Sequence, residues 1–172
     1  MADPRVEVLL AKQEIMELAY RYSRGLDRLD KSLLQSVFAE DAYCEYGVFN
    51  GAAEPFVAFC MEALGGHEAN QHLVGNILID VEGDEAFGEV YFQAYHKVPV
   101  EGGFEDLIIA GRYLDRYVKR NGEWKIIYRS EYNDWSNTSP TRDPYFDLAV
   151  DGLRGGRQDD AVYDRSARYK RP

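Results

Sequence analysis

The chain has 172 residues, enough for one domain with a real core, and its 45% hydrophobic and 29% charged content is that of an ordinary soluble globular protein. With 30 acidic and 20 basic side chains the net charge is −10, and the bases are interleaved with acids rather than gathered in a stripe, which excludes nucleic acid as the expected partner. No stretch reads as a membrane span or a signal peptide, and two cysteines without CxxC spacing, Cys44 and Cys60, suit a reducing cytoplasm better than a disulfide frame or a zinc site.

Asp3-Pro4 opens a first helix, with Asp as N-cap and Pro in the first turn. Ile15, Leu18, Ala19, Tyr22, Leu26 and Leu29 recur at helical spacing and give it one apolar face. Asp27 follows Leu26, about 100° further round on an ideal helix, so it sits at the border of that face. Asp30 precedes KSLLQSVFAED and reads as the N-cap of a second short helix. Residues 41–50 read as a short strand with a Gly turn, and Glu54 to Leu64 as a third helix begun by Pro55 and stopped by Gly65-Gly66.

Four longer strand signals follow: Asn70 to Val81, Ala86 to Val98, Leu107 to Arg120 and Glu123 to Asn133. The last two are joined by Asn121-Gly122, a two-residue hairpin signal. The pattern predicts an α+β fold: a bent antiparallel sheet with three N-terminal helices packed on it. Alternation places His72, Val74, Asn76 and Leu78 on one face of the first long strand, and Leu73, Gly75, Ile77 and Ile79 on the other. Apolar residues on both faces predict that the outer one is covered by a second subunit. On the last strand Ile127, Arg129, Glu131 and Asn133 share a face opposite Trp124, Ile126, Tyr128 and Tyr132, and an Arg there wants a carboxylate or an anionic ligand. The pattern ends after Trp135, so residues 1–135 are read as the domain and 136–172 as a tail draped over it or over a neighbouring subunit.

The chemistry is carried by few residues. His72 is the candidate general base, because a neutral imidazole accepts a proton near pH 7. An acid such as Asp27 can hold its other ring nitrogen. Ser and Cys stand in no nucleophile motif, and His67, His72 and His96 lack the spacing of a metal site, so neither covalent catalysis, a metal nor a cofactor is expected. Taken alone, a single His on a strand is better read as a satisfied core histidine.

The helical start, the first helix ending in Tyr22-x4-Asp27, His72 on the first long strand, and the DRYVKRNGEWKI hairpin together resemble the SnoaL-like branch of the nuclear transport factor 2-like superfamily. That branch includes bile acid 7α-dehydratase, scytalone dehydratase and hexachlorocyclohexane dehydrochlorinase. The resemblance implies a cone-shaped α+β barrel around a pocket, with Asp27 and His72 as an acid–base pair, Tyr22 as the phenol beside them, and Arg129 as the active-site Arg of the dehydrochlorinase type. Asn133 stands where the bile acid enzyme has its Arg. Tyr46, Phe92, His96, Tyr113 and Asn133 are then expected to line the substrate side. The implied function is a cofactor-independent lyase that removes a proton and a leaving group, water first, halide or formaldehyde next, from a hydrophobic aromatic or polycyclic substrate. An isomerase, a polyketide-type cyclase or a non-catalytic binding module would share the fold. The resemblance also implies a homo-oligomer, a trimer ahead of a dimer.

Overall fold

The computed structural model describes residues 3–151 and 153–164; residue 152 and residues 165–172, which belong to the expected tail, lie outside the described residues. Helix α1 (Pro4–Asp27) begins at the Asp3 cap, whose carboxylate accepts the Arg5 N–H at 2.9 Å. It stays helical through Gly25, where a side chain would meet Leu34 at 3.0 Å, so this glycine lets α2 (Lys31–Ser36) pack close. Asp30 caps α2 by accepting the Leu33 N–H at 2.9 Å. Then come β1 (Phe38–Glu45), β2 (Asn50–Ala52), α3 (Ala53–Gly65), β3 (Ala69–Glu82), β4 (Glu85–Val100), β5 (Gly103–Arg120), β6 (Glu123–Pro140) and the short α4 (Pro144–Leu148).

The strands form one six-stranded sheet in the order β2-β1-β6-β5-β4-β3, curled but not closed, with the helices packed on it. This is the expected α+β cone, with one difference. Strand β1 runs parallel to β6, so the sheet is mixed rather than wholly antiparallel. The β5–β6 turn is Asn121-Gly122, with φ of 53° and 83°, the left-handed pair that a tight two-residue hairpin requires.

Bulges correct the expected faces. The β3–β4 ladder passes from Val74↔Phe92 to Ile77↔Val90, setting two residues of β3 against one of β4. Alternation therefore resets, and Val74, Ile77 and Ile79 all pack on the core, while Leu73 and Leu78 are exposed. On β6 the ladder jumps from Tyr128 to Ile126, so Trp124 and Ile126 share the inner face with Arg129 and Glu131. A third bulge lies where Ala110↔Trp135 gives way to Gly111↔Asn133. There a Cβ on residue 111 would meet the Tyr132 carbonyl oxygen at 2.0 Å, so only glycine fits. Beyond it β6 continues, pairing with β5 as far as Glu105↔Pro140, so the sheet runs past residue 135.

The described part of the C-terminal segment returns over the end of α1. Arg28 donates to the Gly156 carbonyl at 2.5 Å and lies 3.5 Å from Asp160, and the Tyr163 hydroxyl donates to Asp30 at 2.9 Å. Arg157 donates to the carbonyl of Asp27 at 2.9 Å and to that of His67 at 3.0 Å.

Candidate active site

The inner face of the curl and helices α1 and α3 enclose a cavity of about 280 Å³. Its walls are mostly apolar and aromatic, with Leu26, Phe56, Phe59, Phe92, Leu107 and Ile109 among them. The polar atoms fall into two groups, one of imidazoles and one of phenols with a carboxyl group.

The first group is built on Asp27, in the last turn of α1. Its carboxylate accepts the His72 backbone N–H at 3.0 and 3.1 Å, which fixes it against β3, and meets the His72 ring Nδ1 at 2.7 Å. A carboxylate only accepts, so Nδ1 is the donor, and in the neutral ring Nε2 is the nitrogen with the lone pair. Both side chains are nearly out of solvent, at 7% exposure for His72 and 12% for Asp27. Asn70 organises the other two rings in the same way. Its amide nitrogen donates to the Leu64 carbonyl at 3.1 Å, which turns its oxygen toward Nδ1 of His67 and Nδ1 of His96, each at 2.8 Å. All three histidines thus have Nδ1 occupied as a donor, and Nε2 is the nitrogen left for a ligand. The rings touch edge to face, His67 to His96 at 5.1 Å and His72 to His96 at 5.4 Å. Burial, with the neighbouring His72 and His67, lowers the pKa of His96 to about 3, so it stays neutral.

The second group centres on Tyr22, whose hydroxyl lies 2.7 Å from that of Tyr46. Two hydroxyls carry two hydrogens and their mutual bond uses one, leaving the other for a ligand oxygen. Tyr113 stacks on Phe92 at 4.3 Å and meets Tyr22 edge-on at 5.7 Å. Burial pushes all three phenols well above their ordinary pKa, so they are neutral donors. Glu131 lines the same cavity. Burial raises its carboxyl above the usual carboxylate range, against the opposing effects of an Asn133 hydrogen bond, Arg129 and His72. Burial likewise drives the Cys60 thiol on the cavity wall far up, so it is a poor nucleophile.

Of the residues singled out in the sequence, the structure brings His72, Tyr22, Tyr46, Phe92, His96 and Tyr113 to the cavity, with Asp27 directly behind His72. It does not bring Arg129 there. Arg129 is fully buried behind the wall, its guanidinium 4.2 Å from both the Tyr22 and Tyr113 rings. Its Nε and Nη2 each donate to Asp115 at 2.7 Å. The carboxylate this arginine wanted comes from the protein, not from a ligand. Asn133 is exposed, and reaches the site only through Glu131. Sequence reasoning missed Asn70 and Glu131. Glu131 alternates with Arg129 on β6, so a strand already read as facing inward carried its signal. Among the described residues no group of three or more His, Cys, Asp or Glu side chains is placed to hold a metal ion, and no described helix is long and apolar enough to cross a membrane.

The SnoaL-like domain family model matches residues 7–130. The uncharacterized protein Rv2910c of Mycobacterium tuberculosis is 29% identical over 122 residues, 69% of this chain and 82% of that one. A solved structure of a proposed scytalone dehydratase from Novosphingobium aromaticivorans superposes with a TM-score of 0.68 at 27% identity, covering 78% of this chain and 91% of that one. The hexachlorocyclohexane dehydrochlorinase LinA-type3 of Novosphingobium barchaimii superposes with a TM-score of 0.71 at 19% identity, covering 78% and 94%, a likeness of fold alone.

Proposed function

Starting from a chain that belongs to the SnoaL-like domain family, we propose that the cavity is the active site of a cofactor-independent lyase acting on a small hydrophobic cyclic or aromatic substrate. The observation that carries this reading is the Asp27–His72 pair on the wall of an apolar cavity. His72 Nε2 removes a proton from a carbon next to a carbonyl group. Asp27 holds the ring in the tautomer that can do so and stabilises the imidazolium that forms. The free hydrogen of the Tyr22–Tyr46 pair bonds the carbonyl oxygen, where negative charge gathers. The enolate then expels a leaving group from the adjacent carbon. Water is the leading candidate, with a proposed scytalone dehydratase among the structural neighbours at 27% identity. The exposed outer face of the sheet, with Leu73, Leu78, Phe87, Leu114 and Tyr132, is the surface on which further copies of the chain pack, three being the preferred number.

The test is a panel of aromatic and steroid-like β-hydroxy carbonyl compounds, followed for loss of water or formaldehyde. His72→Ala should abolish turnover with the fold intact. Asp27→Asn presents an amide that favours the wrong tautomer, and should lower kcat by up to about 10⁴-fold with little change in KM, the loss known for the buried acid of a catalytic triad. Wild-type turnover by His72→Ala sinks the proposed base. Ligand binding by the native protein without any product makes the chain a binding module, and a rearranged product without loss of water makes it an isomerase.

A further inference from the structure

Resting on that elimination reading, we propose that Glu131 is the group that gives a proton to the departing oxygen, and that the substrate class is therefore β-hydroxy carbonyl compounds rather than halides. Both Glu131 and His72 line the cavity, but from different strands. Between β6 and β3 lie β5 and β4. On the ladder Glu131 pairs with Tyr113, which pairs with Val90, whereas His72 pairs with Ala94. The two levels are four residues apart along β4, about 13 Å of extended chain. The curl of the sheet brings both side chains onto one cavity from separate walls. An elimination needs this arrangement: a base for the hydrogen on one carbon, and an acid for the group on the next.

Glu131 is also the carboxyl group left without a cation. Two acids stand near Arg129, and Asp115 takes both forks of the guanidinium at 2.7 Å and a third hydrogen bond from Tyr117 at 2.6 Å. Glu131 has no ion pair among the described residues; its carboxyl group lines an apolar, phenol-rich cavity, and burial there favours the neutral acid over the opposing pull of Asn133, Arg129 and His72. The step balances. His72 Nε2 takes the α-proton, and the C–H electron pair moves into the carbonyl. As it returns to form the C=C bond, the C–O bond breaks with its electrons on oxygen, and the Glu131 O–H proton joins that oxygen to make water. The imidazolium then returns one proton to the Glu131 carboxylate through solvent, so substrate becomes alkene plus water and the protein is unchanged. A chloride needs no such proton, which is why a neutral acid here selects an oxygen leaving group.

Two measurements test this. In carbon-13 NMR of glutamate-labelled, ligand-free protein, one carboxyl signal that Glu131→Gln removes should titrate above the ordinary carboxylate range. The groups facing it are Tyr22 of α1, Tyr46 after β1, Cys60 of α3, His72 of β3, Tyr113 of β5, and Arg129 and Asn133 of β6. Titration of that signal at the ordinary carboxylate value overturns the proposal, whatever the substrate. In turnover, a bicyclic aromatic β-hydroxy ketone is compared with its β-chloro analogue. Glu131→Gln should lower the ratio of hydroxyl to chloride elimination rates by about 10²–10⁴-fold, the range for one positioned proton donor. An unchanged ratio, with His72→Ala dead on both compounds, refutes the acid while leaving the base standing. A His72→Ala variant as fast as wild type refutes the elimination reading itself.

Discussion

Replacing Asp115 by alanine should be among the most damaging single changes in this chain. Asp115 and Arg129 have no exposed side-chain surface, and their two 2.7 Å bonds are joined by the Tyr117 hydroxyl at 2.6 Å. Arg129 Nη1 has no hydrogen-bond partner among the described residues, so Asp115→Ala removes both of the short bonds that hold this buried guanidinium between two aromatic rings. Breaking a buried pair in this way costs about 3–5 kcal/mol. The stranded Tyr117 hydroxyl adds about 1 kcal/mol. Against a domain stability of roughly 5–15 kcal/mol, a total of about 4–6 kcal/mol leaves little. At about 2–4 °C per kcal/mol for a chain of this size, the melting temperature should fall by on the order of 10–20 °C.

A double-mutant cycle in urea, read by tryptophan fluorescence, separates the pair from its surroundings. Arg129→Met with Asp115→Leu removes both charges, and should recover all but about 1–2 kcal/mol of the loss. It should also keep turnover within a few-fold of wild type, because Arg129 stands behind Tyr22 and Tyr113 rather than in the cavity. A loss below about 1 kcal/mol for Asp115→Ala, or a double variant as unstable as the sum of the singles, refutes the pairing. A folded double variant about 100-fold or more slower returns Arg129 to the catalytic machinery.

His96 makes stability depend on pH. Its folded pKa is near 3, lowered by burial and the two neighbouring histidines, while an unfolded histidine titrates near 6.5. Below about 6.5 the unfolded chain binds a proton that the folded one refuses, so stability should fall by up to about 1.4 kcal/mol per pH unit between roughly 6 and 3. Urea titrations at several pH values should show this slope shallower in His96→Gln, and an identical slope refutes the assignment. For assembly, multi-angle light scattering should give a mass above that of one 19.7 kDa chain, with three chains preferred. Leu78→Lys on the exposed outer face should reduce it, and a wild-type monomer at micromolar concentration ends that proposal.

What was legible in the sequence was local chemistry. The Asp3 and Asp30 caps, the Asn121-Gly122 turn and the apolar stripe of α1 each rest on contacts within a few residues, and the structure has them, except that α1 ends at Asp27 and Leu29 falls in the turn beyond it with φ of 53°. The bulges were not legible, because nothing in GNIL or KIIY distinguishes an extra residue from continued alternation. One slipped residue inverts every face beyond it. Strict alternation points Ile77 and Ile79 outward and sets Trp124 and Ile126 opposite Arg129, and the bulges reverse both. The parallel β1–β6 pairing was equally hidden, since it joins segments at opposite ends of the domain. At the site, Tyr22, Asp27 and His72 were found through a spacing resembling a known family. Asn70 was invisible, because its role depends on where the His67 and His96 rings converge.

The histidine end of the cavity is held by a chain of fixed donors and acceptors that runs out to the C-terminal segment. His72 is oriented by Asp27, and His67 and His96 are oriented by Asn70. The end of α1 and the loop before β3 are tied in turn by one guanidinium, Arg157, bonded to the carbonyls of Asp27 and His67. That cation stands at the C-terminal, negative end of α1, with Arg28 beside it, so it also offsets the helix dipole next to the Asp27 carboxylate. An imidazole serves as a base only while its ring stays within about 0.5 Å of a productive position. A 24-residue helix capped by caught carbonyls supplies that constraint better than a frayed end would. The segment that lacks sheet or core character is thus part of what keeps the proposed base in place.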